Sequence, residues 1–273
     1  MKRLLIMLVA LALILGLTPA SAQVQWRLEL NAAFSMLEDG NPFLLRYNEI
    51  TGAGIQPRFP LGLPYMFGGR DETKLLTVAY ALETTKNFSK GQKYLYGFDC
   101  NGFTNWINFQ TGKPQHDTLD QMIENRGLYK RNQLKLNNIP YGELYKSLEI
   151  GDYLVTSSGG RHIMMYIGTL LDYGFTAETA PQLAAYLTYP LVVHCGLCPP
   201  YAERYQAYID QNGLNCNTTD GGVAVAIVGV PVDQAPEYLY TQNYDHYYFE
   251  LDGYFLRIHD MDAVTAYVWF RMD

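Results

Sequence analysis

Residues 96–110 read YGFDCNGFTNWINFQ, a stretch in which a loop ends at a cysteine and a helix begins. Asp99 is a residue type that caps helix N-termini. Apolar residues then follow at the spacing of one helix face, at Phe103, Trp106 and Ile107. We therefore predict a helix that opens at Cys100 and is stopped by Gly112.

The sequence after residue 150 changes from helical to strand patterns. Strands are predicted at 152–157, 162–168, 191–194, 223–230, 246–251, 254–259 and 264–271. Ser158-Gly159-Gly160 predicts a hairpin turn between the first two strands, and helices are predicted at 177–188 and 200–211. Because helices come first and strands later, the fold class is predicted to be α+β, with N-terminal helices packed on a C-terminal antiparallel β-sheet.

The chain before Cys100 is predicted to be mainly helical. Helices are expected at 27–39, 42–52 and 71–86, loops at 52–69 and 91–98, and short helices beyond the Cys100 helix at 117–125 and 141–148. Asn41 followed by Pro42 is a helix start, since Asn is a favoured cap and Pro suits the first helical position.

The first residues have the pattern of an export signal. Lys2 and Arg3 precede the apolar run Leu4–Leu17, and Ala20-Ser21-Ala22 follows as a small-residue cleavage site. We predict a signal peptide over 1–22 with cleavage after Ala22, and the alternative is an uncleaved membrane anchor. The mature chain, 23–273, is then secreted or held in the cell envelope, without stable membrane insertion, where disulfides can persist.

Composition sets limits on the class of protein. Of 273 residues, 48% are hydrophobic and 17% charged, and the net charge is −7. This material is enough for a packed core, and the acidic balance argues against nucleic-acid binding, which needs a basic face. No repeat or linker is visible, so we expect a single domain and a monomer.

Cys100 is a candidate nucleophile. A thiol at a helix N-terminus faces unpaired amides and the positive end of the helix dipole, which favour the reactive thiolate. A cysteine nucleophile also needs a base and a group that orients the base. His162 and His194 lie on predicted neighbouring strands and could serve in these roles. The alternative is a structural cysteine and two unrelated strand histidines.

Five segments in a fixed order carry a family resemblance. They are GLPYMFGG at 62–69, YGFDCNGF at 96–103, LEIGDYLV at 148–155, RHIMMYIG at 161–168 and LVVH at 191–194. Together they resemble the NlpC family of bacterial cell-wall cysteine peptidases, which has a papain-like fold. The resemblance covers about residues 60–195. The sequence departs from the family pattern at Asn101, where the family has Ser, and at Phe67, where the family has Trp.

The resemblance implies a function and a set of site residues. Cys100 matches the nucleophile, His162 the general base, His194 the orienting residue and Tyr65 a cleft residue that helps to polarise the scissile carbonyl. Asp99 and Asn101 match positions near substrate polar groups, although Asp99 also suits a helix cap.

The implied enzyme is an exported peptidase that hydrolyses amide bonds in peptidoglycan stem peptides, of the γ-D-glutamyl type, without metal or cofactor. Insertions near 70–95 and 169–222 leave the substrate and the role of His194 open. An amidase or acyltransferase on the same fold, or a non-catalytic wall-binding module, is the alternative.

The remaining cysteines form a compact group. Cys195, Cys198 and Cys216 suggest one disulfide in an exported protein, either Cys198–Cys216 or Cys195–Cys216. A zinc site of these three cysteines with His194 is the alternative. The other histidines have no motif context and are expected to be solvated or structural: His116, His246 and His259.

Overall fold

The computed structural model describes most of the chain after the predicted leader. The described residues are 20–116, 118–123, 134–135, 140–156, 161–197, 202–219, 221–234, 237–240, 245–259 and 267–271. Residues 1–19 of the predicted leader 1–22, the turn at 158–160 and Cys198 lie outside these residues, so the expectations placed on them stay predictions.

Five α-helices are present in the described chain. They are α1 (Ala20–Phe34), α2 (Pro42–Thr51), α3 (Cys100–Gln110), α4 (Leu119–Ile123) and α5 (Ala202–Gln211). Helix α2 is capped as its sequence predicts: the Asn41 side chain accepts hydrogen bonds from Phe43 and Leu44 amides, and Gly52 closes the helix in the left-handed conformation. Within the described chain, none of the helices has the length and apolar character needed to cross a bilayer.

A nine-stranded sheet forms the other layer. Its strands are β3 (Leu134–Lys135), β4 (Tyr153–Thr156), β5 (Ile163–Gly168), β6 (Leu191–Leu197), β7 (Gly221–Val228), β8 (Glu237–Tyr240), β9 (Asp245–Leu251), β10 (Tyr254–His259) and β11 (Tyr267–Phe270). The strand order is β3-β11-β4-β5-β6-β7-β10-β9-β8. Two further short strands, β1 (Val78–Tyr80) and β2 (Lys93–Leu95), pair separately.

The prediction of α+β class is confirmed, but the sheet is mixed rather than wholly antiparallel. Strand β10 lies parallel to β7, with His259 opposite Val228. The chain passes from β7 through the antiparallel β8–β9 hairpin, and β10 then returns between β9 and β7. That return fixes the parallel direction of β10.

The core lies between the helices and one face of the sheet. Strands β5 and β6 place alternate residues toward α3, where Phe103 and Ile107 are fully buried in the same cluster as Ile163 and Cys195. The opposite face holds a smaller cluster that includes Met164 and Val192. Alternation along each strand therefore assigns each site residue to a definite face.

Three predicted helices differ from the structure, and the one predicted at 141–148 is a 3₁₀ helix, Tyr141–Lys146. The helix predicted at 71–86 is a short 3₁₀ turn, Glu72–Lys74, followed by β1, which pairs with β2 in the segment predicted as loop. Leu76 has φ 60°, a left-handed conformation that no helix continues through. The region 177–188 holds a 3₁₀ helix, Pro181–Tyr186, because Pro181 starts the turn and Pro190 follows it closely.

Candidate active site

Cys100 is the first residue of α3 and is half-buried against the start of β5. The amides of Ile163, Asn101 and Cys100 itself lie close to its sulfur. The cysteine is a free thiol. The junction of loop and helix predicted from the sequence is confirmed.

Asp99 is the helix cap. Its carboxylate accepts a hydrogen bond from the Gly102 amide at 2.5 Å and another from the Gly68 amide at 3.2 Å, and the side chain is buried. The Arg70 guanidinium lies 3.6 Å away. These contacts link the loop at 68–70 to the first turn of α3. They hold the Asp99 carboxylate in the protein interior.

Three glycines allow this loop to approach the helix. A Cβ on Gly97 would lie 1.6 Å from the Pro64 carbonyl oxygen, and one on Gly69 would lie 1.9 Å from the Gly97 carbonyl oxygen. A Cβ on Gly102 would lie 2.1 Å from the Gly69 carbonyl oxygen. Each contact is with backbone, so no side chain can move aside to make room.

His162 and His194 are brought together by the pairing of β5 and β6. The two imidazoles are joined by a hydrogen bond of 3.0 Å between His162 Nε2 and His194 Nδ1. Gly196 lies beside them, and a Cβ there would come within 2.9 Å of both rings. The expected pair of histidines is therefore present, with glycine leaving the space that the rings occupy.

A third imidazole completes the group. His259 Nε2 lies 3.4 Å from His194 Nε2, and the ring centroids of His162 and His259 are 5.6 Å apart. In the register, His194 lies opposite Ala224 and His259 opposite Val228 on β7. Four residues of strand span about 13 Å, so the strand register alone does not place these two rings side by side.

The histidines and the cysteine reach one cavity from different sides. Alternation along β6 puts Cys195 toward α3 and His194 on the opposite face, and Gly196 and the ring of His162 share the face of His194. A cavity of about 620 Å³ extends around the strand ends and is lined by Cys100, His162 and His259. Within the described residues, no hydrogen bond joins the Cys100 sulfur to the His162 ring.

The thiol of Cys100 is neutral in this structure. Burial raises its pKa to about 12, and the negative charge of Asp99 adds to the rise, while the neighbouring amides oppose it. This direction is opposite to the one predicted from the helix N-terminus. The reason is that desolvation and a nearby carboxylate outweigh the helix dipole, whose effect at exposed sites is about 0.3–1 kcal/mol.

Both paired histidines are also neutral. Burial lowers the pKa of His162 to about 3, and the positive charge of Arg257 adds to the effect. Burial likewise lowers the pKa of His194 well below its ordinary value, with further contributions from His162 and Arg257. Each ring therefore has one nitrogen that accepts a proton or a ligand.

Tyr65 lines the same cavity, whereas Asn101 does not. The Tyr65 ring is half-buried and packs on Phe88, with centroids 5.9 Å apart. Asn101 is buried and accepts a hydrogen bond from Asn105 at 2.8 Å. It lines a second cavity of about 420 Å³, together with the buried His116.

The two described cysteines after residue 190 are not paired with each other, and the alternative Cys198–Cys216 involves a residue outside the described chain and stays a prediction. Cys195 and Cys216 are both free thiols in the described chain, so the alternative Cys195–Cys216 is absent. The Cys195 sulfur is buried and donates to the Phe98 carbonyl at 3.2 Å. Cys195 and His194 point to opposite faces of β6, which argues against one zinc ion held by both, and the part of that alternative that depends on Cys198 lies outside the described residues.

Sequence reasoning missed His259 and Arg257. Neither belongs to a motif, and the pairing of β10 with β7, which brings His259 near His194, leaves no local pattern. The one available signal was strand alternation: in YFLRIH at 254–259 the buried positions are Tyr254, Leu256 and Ile258, which leaves Arg257 and His259 on the other face.

Comparison with known proteins gives no identification: no family model, no curated protein and no solved structure matches this chain.

Proposed function

We propose that this chain is a cysteine hydrolase of amide bonds, in which Cys100 attacks, His162 transfers the proton and His194 orients His162. The observation that carries the proposal is the shared cavity. Thiol attack needs a nucleophile and a base, and Cys100 and His162, which would fill these roles, both line that cavity. The family resemblance of the five ordered segments, with its papain-like fold, supports the same assignment of roles.

The orientation of His162 suits a base. Its Nε2 is engaged by His194 Nδ1 at 3.0 Å, and donation by Nε2 leaves Nδ1 as the nitrogen with a lone pair. The Cys100 and Asn101 amides beside the sulfur are candidate donors to the oxyanion. Tyr65, on the cavity wall, is the side chain that would complete this set.

The reaction balances within these groups. As Cys100 Sγ bonds to the carbonyl carbon, its proton passes to His162 Nδ1, and the C–N bond breaks as the leaving amine takes that proton. Water then gives its proton to His162 and adds as hydroxide to the thioester carbonyl. The C–S bond breaks, the acid is released, and the imidazolium proton returns to the sulfur to restore the thiol. Proton transfer from Cys100 to His162 creates a thiolate and an imidazolium at the same time. The attraction between these opposite charges offsets part of the desolvation free energy that otherwise keeps each group neutral.

The cavity wall favours a substrate that carries carboxylates. Lys86, Arg161 and Arg257 line it, and none of its described lining residues is acidic. Arg161 also pairs with Asp120 at 2.9 Å, so part of its charge is already balanced. A volume of about 620 Å³ lies in the range of small-ligand sites. Peptidoglycan stem peptides, the substrate implied by the resemblance, carry such carboxylates.

The test is turnover of defined muropeptides by the purified chain, with products identified by mass spectrometry. Cys100→Ala should abolish release of new amine and carboxylate termini, and His162→Ala should lower it by about 10²–10⁴-fold. Cys216→Ala, which removes another free thiol, is the matched control and should retain turnover.

Three results would overturn the proposal. Turnover by Cys100→Ala at the wild-type rate would exclude thiol catalysis. Binding of muropeptides without any product would favour a wall-binding module. An acyl group found on an acceptor other than water would show an acyltransferase.

A further inference from the structure

The group formed by His162, His194 and His259 has a second chemical use that does not involve sulfur. One ring nitrogen from each residue can be chosen so that all three lie within 4.8 Å of one another. The 3.0 Å contact joins His162 Nε2 to His194 Nδ1, whereas the 3.4 Å contact joins His259 Nε2 to the other nitrogen of His194, Nε2. Only one of these two distances can therefore belong to a set that uses one nitrogen from each residue. Zinc binds imidazole nitrogen at about 2.0–2.1 Å, so nitrogens in a tetrahedral site lie about 3.4 Å apart.

We propose that His162, His194 and His259 form a binding site for a divalent transition-metal ion of the zinc class, with the cavity supplying the open fourth position. Metal binding itself is independent of the proposed hydrolase function. Its effect on turnover, described below, rests on that function.

The donor set decides which ions fit. Imidazole nitrogen suits Zn²⁺, Cu²⁺ and Ni²⁺, whereas Mg²⁺ and Ca²⁺ require oxygen ligands. The three residues come from the start of β5, from β6 and from the end of β10, so the sheet holds the ligands. The nitrogens of the set lie at most 4.8 Å apart, so side-chain rotations that bring them closer by up to about 1.4 Å would give the tetrahedral spacing.

An ion can reach this group from solvent. His162 and His259 both line the cavity of about 620 Å³, which also supplies room for water as a fourth ligand. His194 is fully buried behind them. Three protein ligands and one open position is the arrangement of zinc sites that exchange ligands, rather than of closed structural sites.

One charge opposes the binding. Arg257 lines the same cavity and is close enough to lower the pKa values of His162 and His194, and it repels a metal dication in the same way. Removal of this charge by Arg257→Gln should therefore tighten metal binding.

The metal and the proposed catalytic role exclude each other. A metal on His162 Nε2 leaves the ring proton on Nδ1, and a protonated Nδ1 cannot accept the proton of Cys100. If the chain is a hydrolase, saturation with Zn²⁺ should therefore stop turnover, and a chelator should restore it.

The experiment is calorimetric titration of the chelator-treated full chain with Zn²⁺, with Mg²⁺ as the control ion. We expect one Zn²⁺ per chain and no heat from Mg²⁺. His259→Gln keeps a hydrogen-bond acceptor for His194 but removes one imidazole, and it should weaken Zn²⁺ binding at least about 30-fold. Cys100→Ala should keep the wild-type affinity, and Arg257→Gln should bind more tightly.

Cobalt provides a readout that does not depend on any variant. Co²⁺ in the wild-type chain should give the visible bands of a tetrahedral nitrogen site without a thiolate charge-transfer band. Equal Zn²⁺ affinity in the wild type and in folded His259→Gln, a thiolate band, or no Zn²⁺ binding at all would overturn the metal site. Zn²⁺ binding in a chain that never turns over muropeptides would refute the hydrolase alone, and turnover without Zn²⁺ binding would refute the metal site alone.

Discussion

Substitution of Gly196 by alanine is the sharpest test of the histidine arrangement. The added Cβ would lie 2.9 Å from His162 Cε1 and from His194 Nδ1, and 3.3 Å from His162 Nε2. An ordinary contact begins at 3.4 Å, so both rings, or the backbone at residue 196, must move by about 0.5 Å. That shift would distort or break the 3.0 Å hydrogen bond between the two rings.

The expected effects follow from this displacement. Overpacking of this kind lowers the free energy of unfolding by about 1–3 kcal/mol, and loss of the ring hydrogen bond contributes about 0.5–1.5 kcal/mol of the change. Misplacement of the base by less than 1 Å should lower kcat/KM for muropeptide cleavage by about 10–100-fold.

Urea denaturation and initial-rate kinetics on the same preparations measure both quantities. Gly142→Ala is the matched control, because its Cβ would meet the Tyr189 ring at 3.1 Å and neither residue lines the cavity. The control should lose stability but keep kcat/KM. If Gly196→Ala folds with unchanged stability and full turnover, the paired rings do not have the described positions or do not contribute to catalysis.

Three other perturbations test separate contacts. Asp99→Ala removes the acceptor of the Gly102 and Gly68 amides and should lower the free energy of unfolding by about 1–2 kcal/mol in urea; a loss below 0.5 kcal/mol, roughly the lower bound for caps, would contradict the capping role. Because the pKa of Cys100 is raised to about 12, its alkylation rate, followed by peptide mass spectrometry, should still be rising at the highest usable pH, and a plateau near neutral pH would show a thiolate instead. Lys113→Met leaves buried Glu29 without its 2.6 Å partner and should destabilise the fold by about 3–5 kcal/mol at pH 7, less at acidic pH because the pKa of Glu29 is already raised and protonation removes the charge; equal losses at both pH values would refute this.

Local signals predicted the elements that carry the site. The Asp99 cap and the apolar spacing through Ile107 determine where α3 begins and which face it buries, and both are read from adjacent residues. The strand patterns around His162 and His194 likewise predicted two neighbouring strands. These features depend on periodicity and capping, which a single sequence records.

What the sequence did not predict depends on long-range geometry. The approach of His259 to His194 depends on the parallel pairing of β10 with β7, which is not encoded within a short segment. The neutral state of Cys100 arises from burial by distant chain segments. The short β1–β2 pair at 78–95 replaced a predicted helix because pairing partners outweighed local helix propensity.

The interlocked glycines 69, 97 and 102 limit how this site can vary. Each permits contact between two main-chain segments at a distance that excludes even a methyl group. Any distant relative that retains the same arrangement around its cysteine should therefore have glycine at all three equivalent positions, whatever happens to the rest of its sequence. Those positions could thus serve as a filter for finding relatives that overall comparison does not detect.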